Sequence, residues 1–277
     1  MFQPAIPLSG IGGWKFLQST YSKQLATFSG SSAVKNDREY LEKKLSAPMA
    51  MEEFLSDKRL LRITLTAFDL GGEEWKGGFI RKVMEEAADP ESTFLKRLNN
   101  PDYTRFSEAF PVKDGQISVT AEALAGLADN FESAAFRTAV GEVDDNMRLS
   151  LNYQSRIVDI AGSGASESAV LYRLLGNVPV RSVLESALGL PSEMSNLDID
   201  QQAGILKDKL QSTLRVNDVS DLSSLEMIDK VINRFHAMEQ IKQGASTYSP
   251  AAAALTLLNA AQGIGDIASQ NLFLSRL

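Results

Sequence analysis

Residues 52–70, EEFLSDKRLLRITLTAFDL, and residues 169–190, AVLYRLLGNVPVRSVLESALGL, each read as a short helix, a capped break and a second helix, and this pair constrains the fold more than any other feature of the chain. Setting Leu70 against Leu190 also aligns Phe54 with Leu174, Asp57 with Asn177, Ile63 with Val183, Ala67 with Ala187 and Phe68 with Leu188. Asp57 and Asn177 are N-cap residue types, and Pro179 is tolerated in a first helical turn. Val180, Val183, Leu184, Ala187 and Leu188 recur at helical spacing, and Leu60, Ile63, Thr64, Ala67 and Phe68 repeat that stripe. Gly71 and Gly189 suit the C-terminal stop, with Pro191 after the second. The matched positions are mostly apolar, so chance likeness between two amphipathic helices competes with an internal duplication. Either way the pattern describes architecture and no chemistry.

The rest of the chain follows the same grammar. After a Pro/Gly-rich arm, residues 1–13, Trp14, Leu17, Tyr21, Leu25 and Phe28 fall on one helical stripe. A stripe this narrow fits a helix laid on a partner or on its own body, the latter being the commoner arrangement. Ser29–Ser32 read as a break, and Asn36 with Glu39 offers a capping box for a helix through Leu45. Phe79, Ile80, Val83, Met84 and Ala87 mark another helix, and Asp89-Pro90 and Asn100-Pro101 each read as a cap followed by a first-turn proline. Residues 113–116, KDGQ, form a turn with too little flanking alternation for more than a marginal hairpin. Thr120 caps a helix interrupted at Gly141, a second helix runs from Asp145 to Ala161, and Asp198 caps a third. The next helix starts near Ser224 and stops at Gly244. Ser249-Pro250 restarts the chain for an alanine- and leucine-rich segment, with a last amphipathic piece from Asp266 to Leu277.

This predicts an all-α protein of helical bundle units in four parts. They are an N-terminal arm and helix (1–35), a first helical unit (36–140), a second (141–245) and a C-terminal helical segment (246–277). A chain of 277 residues with 44% hydrophobic and 23% charged residues has material for a sizeable core. A net charge of −7 argues against a broad nucleic-acid surface, which wants a basic face. With no cysteine there is no disulfide framework, thiolate metal site or cysteine nucleophile. The N-terminus lacks the charged start and continuous apolar run of a Sec signal. The most apolar late segment, Ala251–Ala261, is about half the length of a spanning helix, so no membrane span is expected.

The search for chemistry yields no catalytic, cofactor or metal residues. His236 is the only histidine, so zinc sites needing two are excluded and a triad would have to use it; it reads as a structural residue, exposed or half-buried. Ser32-Ala33-Val34-Lys35 matches the penicillin-binding S-x-x-K pattern without its companion motifs. Gly10, Gly12 and Gly13 precede a helix, but no strand leads in and Lys15 replaces the third fingerprint glycine. Asp198 and Asp200 open like a calcium loop, yet Ala203 and Lys209 stand where glycine and glutamate are needed, and helix capping explains them better.

A family resemblance stands beside this reading. Asp37–Tyr40, Phe54-Leu55, Asp57–Leu61, Ala67-Phe68 and Phe79–Val83, with the spacing of Asp89-Pro90, Leu98, Asn99 and Phe106, resemble the bacterial family catalogued as domain of unknown function 1217, most strongly over about residues 36–110. The arm QPAIPLSGIGGWKFL, the linker AVGEVDDNMRLSLN and the tail SPAAAALTLLNAA are similar to longer alphaproteobacterial members. Such members are similar to proteins encoded among flagellar genes and are often called flagellar on that ground, and the family carries no agreed activity. The resemblance therefore implies a setting: a non-enzymatic, flagellum-associated structural or assembly factor, with a cytoplasmic adaptor or regulator of flagellar assembly as the alternative. An enzyme with an unrecognised helical site is the third class. Under the leading reading the partners are proteins, flagellar components or a second copy of the chain, and the location is cytoplasmic or flagellar. The candidate interaction face is the stripe Trp14, Leu17, Tyr21, Leu25 and Phe28.

Overall fold

The side chains of Asp57, Asn100, Thr120, Asp144, Asn177 and Asp198 each cap the start of a helix. The computed structural model describes residues 2–98 and 100–247. Among them are thirteen α-helices: α1 (Gly10–Ser29), α2 (Ser32–Leu45), α3 (Met51–Ser56), α4 (Lys58–Ala67), α5 (Gly77–Ala88), α6 (Phe94–Leu98), α7 (Pro101–Ala109), α8 (Ala121–Val143), α9 (Asp145–Ala161), α10 (Glu167–Gly176), α11 (Val178–Leu188), α12 (Ile199–Lys209) and α13 (Leu225–Thr247). The protein is all-α, as expected. The one sheet among the described residues is a three-stranded scrap, β1 (Met49–Ala50), β2 (Val112–Lys113) and β3 (Gln116–Ile117), in the order β1-β3-β2. Two-residue strands are too short to write an alternating pattern, and β2 with β3 is the marginal hairpin about the turn at residues 113–116.

The two helix pairs share their turn chemistry atom for atom. Asp57 and Asn177 each end one helix and cap the next from extended backbone, with φ −78°, ψ 93° and φ −90°, ψ 99°. Their side chains accept from the third residue on, Leu60 N at 3.0 Å and Val180 N at 3.2 Å; such a cap contributes about 1 kcal/mol. Both second helices also stop alike. Leu70 N donates to Leu65 O, and Asp69 N, at φ 59°, to Thr66 O; Leu190 N donates to Glu185 O, and Gly189 N, at φ 63°, to Ser186 O. The surroundings differ. Leu61 and Leu65 are buried in α4, whereas the aligned positions in α11 are Arg181 and Glu185, an ion pair of 2.6 Å.

Packing follows from these faces. α4 lies on α2 and α8, α11 lies on α9 and α13, and α8 against α9 joins the two sets. α1 crosses the join, touching α8, α13, α2 and α9. The buried apolar residues, from Trp14 in α1 to Phe235 in α13, form one contiguous cluster. Gly13 is required where α1 begins, because a Cβ there would stand 1.8 Å from the Leu8 carbonyl oxygen. That close approach, rather than a nucleotide, accounts for one of the glycines before Trp14.

Several expected boundaries move. α2 starts at Ser32 after a break of only Gly30 and Ser31, so Asn36 and Glu39 sit inside the helix instead of capping it. Asp89-Pro90 makes a turn in which Asp89 accepts from Glu91 N, and α6 begins later at Phe94. Gly141 continues α8, which ends at Asp144, the cap of α9. α13 runs through Gly244 to Thr247. Asn100, Thr120 and Asp198 cap α7, α8 and α12 as predicted. The expected helices at Ser249–Ala261 and Asp266–Leu277 lie outside the described residues.

Candidate functional site

The stripe proposed as an interaction face is taken up by the chain itself. Trp14, Leu17 and Phe28 are 1%, 0% and 9% exposed. Tyr21 meets the Phe136 ring edge-on at 5.4 Å, Phe28 packs on it at 5.6 Å, and Leu25 lies half-buried against the core. The period of the stripe was legible; its occupant is α8 and α13 rather than a partner. The arm is tied down as well: Gln24, buried in α1, accepts from Ala5 N at 2.8 Å and donates to Ala5 O at 3.1 Å.

Behind Trp14 lies His236, and here the expectation of an exposed or half-buried side chain is corrected, because the ring is fully buried. α13 presents it between Trp14, stacked at 6.0 Å, and Ser150 of α9, whose Oγ is 3.0 Å from Nε2. The Ser150 hydroxyl donates to Asn146 O one turn back at 2.8 Å. Its single proton is thereby used, so Nε2–H donates to Oγ and Nδ1 carries the lone pair. Nδ1 is buried with no hydrogen-bond partner.

His236 lines a cavity of about 260 Å³ bounded by Gly10 at the start of α1, Asp144 and Asp145 at the start of α9, and Glu239 and Gln240 on α13. Asp144 Oδ1 caps α9, accepting from Asn146 N at 2.9 Å and Met147 N at 3.3 Å. Glu239 Oε1 accepts from Ser186 at 2.5 Å and from Lys242 at 2.7 Å. Despite burial, which opposes it, those two bonds hold the Glu239 carboxyl below its usual range. Gly10 has φ 64°, and a Cβ there would collide with the Gln240 side chain at 2.1 Å, so glycine lets Gln240 lie over the first turn of α1. Among the described residues no group of three or more His, Cys, Asp or Glu is placed to hold a metal. Asp144 is far in sequence from His236 and Glu239, so no local motif marks the site.

Burial lowers the His236 pKa to about 4, against the pull of Asp144 and Glu239. An unfolded histidine protonates near pH 6.5. Between these values the unfolded chain takes up a proton that the folded chain refuses, so stability present near pH 7 is lost as pH falls, by on the order of 3 kcal/mol once below pH 4. Asp102, raised by its burial, contributes with the opposite sign: its stability is present at acid pH and lost as pH rises through its folded value. The expected result is that urea midpoints fall from pH 6.5 to 4.5 in the wild type and stay flatter in His236→Gln. Parallel profiles would mean that another group carries the slope.

A second feature stands on the opposite kind of surface. Trp75, in the short turn between α4 and α5, is 78% exposed, with the Lys76 ammonium 5.3 Å from its ring centre. Gly72 flanks it on one side and Gly77 and Gly78 on the other, and a Cβ at any of the three would meet nothing within 4 Å.

Helices packed on one shared core define a helical bundle protein. The family described as "Protein of unknown function (DUF1217)" matches residues 67–228, more than half of the chain, and the chain belongs to that family. The match lies further along the chain than the stretch of strongest resemblance. The crystal structure of protein AGR_C_984 from Agrobacterium tumefaciens is similar in fold, with a TM-score of 0.67 at 20% identity, covering 87% of this chain and 99% of that one. No functionally curated protein matches the chain. No described helix is long and apolar enough to cross a membrane.

Proposed function

We propose that this protein is a non-enzymatic, flagellum-associated structural or assembly factor that works through protein contacts. The observation that carries the contact-making role is Trp75, 78% exposed on a glycine-flanked turn within the family-matched segment. A large rigid ring left in water is the residue type that most often anchors a protein interface. The flagellar setting rests on the resemblance of the arm, the linker and the tail to longer family members that are similar to proteins encoded among flagellar genes.

The test is genetic. Deleting the gene from its flagellated host should abolish swimming, and the wild-type copy should restore it. Trp75→Ala should accumulate to normal levels with stability within about 0.5 kcal/mol of wild type, since the ring is exposed, yet leave the cells non-motile. Fractionation of the complemented strain separates a flagellar component from a cytoplasmic adaptor. Normal swimming of the deletion strain would end the flagellar reading, and full rescue by Trp75→Ala would end the assignment of Trp75.

A further inference from the structure

We propose that the groove in which residues 2–8 lie also takes the same segment of a second copy of this chain, so that two molecules trade arms and hold each other through them. The groove is built like a peptide receptor. Gln24, 8% exposed on α1, meets both polar main-chain groups of one arm residue, accepting from Ala5 N and donating to Ala5 O. α1 itself orients that amide: Gln24 Nε2 also donates to Thr20 Oγ1 at 2.8 Å, and Thr20 donates to Phe16 O one turn back. Three residues before Ala5, Phe2 enters an aromatic notch, edge-on to Phe28 at 5.5 Å and 6.3 Å from Phe136 of α8. Pro4, between these two anchors in sequence, is buried, whereas Gln3, Ala5, Pro7 and Leu8 are exposed. Holding main-chain atoms at one point and separate side chains at others is how grooves take extended peptides. The segment that fits this groove is one that every copy carries.

The join between arm and helix is the weak point of the closed molecule. Ser9 stands at the N-cap of α1 without a side-chain cap bond, and the first-turn bond from Gly13 N to Ser9 O is 3.5 Å long. Gly10 sits at φ 64°, and the Leu8 carbonyl lies so close over Gly13 that no side chain fits beneath it. This tight turn serves only the arm that stays at home. The contacts of Phe2 and Ala5 are the same whichever copy supplies them, so exchange sets an opened hinge against the entropy of association. A short, tight hinge is the kind that invites such swaps, and reciprocal exchange closes a two-fold dimer. The arrangement is independent of the role assigned to Trp75.

Gly13→Ala should tip the balance, because its methyl group would stand 1.8 Å from the Leu8 carbonyl oxygen in the closed turn while arm and groove stay as they are. Sedimentation of the full-length variant should show more dimer than wild type at the same concentration. To identify the contact, a benzophenone amino acid replaces Phe2 in one population, which is irradiated with larger-tagged copies that lack it. Crosslinks to the tagged copy should map to the segments around Phe28 and Phe136, and Gly13→Ala should raise their yield by about tenfold. Adding Gln24→Ala should lower that yield again, since the exchanged arm loses its main-chain anchor. Alanine at position 13 also comes within 2.8 Å of Met147 Cε. Should it reduce helicity, Gly10→Ala takes its place, disfavouring the same hinge through its φ and meeting the flexible Gln240 side chain. A folded variant that stays monomeric overturns the proposal, as does a dimer whose crosslinks map elsewhere. A monomeric variant that binds a free FQPAIPL peptide overturns it too, in favour of a segment from another protein.

Discussion

Removing residues 1–30 should leave a chain that no longer unfolds in a single cooperative transition. Trp14, Leu17 and Phe28 are at most 9% exposed, and full burial of such side chains contributes roughly 1.5–3 kcal/mol each. Their loss alone approaches the ~5–15 kcal/mol that holds a typical domain together, before the surfaces they cover are counted. Those surfaces are Phe136 of α8 and His236 of α13, which would meet water without Phe28, Tyr21 and Trp14. The truncated protein should lose its sharp melting transition by circular dichroism, bind a hydrophobic dye and aggregate. A soluble, helical truncation melting within a few degrees of the intact chain would return the stripe to an external partner.

The second large effect belongs to Arg156, 8% exposed on α9. Its guanidinium pairs with Asp69, just past the end of α4, lies 3.3 Å from Asp102 in the first turn of α7, and reaches Phe68 O at 3.4 Å. Arg137 of α8 shares Asp69 at 2.7 Å, and Arg105 shares Asp102 at 2.5 Å. One arginine therefore ties the ends of α4 and α7 to the α8–α9 pair. Taking away one member of a buried network strands the others, so Arg156→Met should cost about 3–5 kcal/mol in urea unfolding. Asp102→Asn should cost less, because burial already pushes that carboxyl toward its neutral form. The double variant should cost less than the sum of the two. A loss under about 1 kcal/mol for Arg156→Met would place the cluster with ordinary solvated ion pairs.

Legibility followed distance along the chain. Asp57, Asn100, Thr120, Asn177 and Asp198 were readable as caps because each bonds a backbone N–H two or three residues on. The start of α2 was misplaced because Ser31 makes no side-chain cap bond, while Asn36 and Glu39 imitate a box in mid-helix. For α1 the period told which residues are covered, but a period carries no address for what covers them. The cavity was illegible for the same reason. Asp144 and His236 line one cavity only because α9 packs on α13, and neither stretch carries a trace of the other. Trp75 was passed over since a solitary aromatic among glycines has no periodicity from which burial can be judged.

The placement of α1 across α8 and α13 sets a timetable for the newborn chain. α1 leaves the ribosome ahead of α8 and α13, with Trp14 and Phe28 uncovered, and α13 follows roughly 200 residues later, on the order of 10–40 s at ordinary bacterial elongation rates. α8 arrives about midway between them and can take Phe28 and Tyr21 through Phe136, whereas Trp14 has no His236 to stack on until α13 has emerged. The N-terminal half of α1 thus waits longer for its cover than the C-terminal half does. It is the place where a holding chaperone would engage this protein, and its release would coincide with the closing of the cavity around His236.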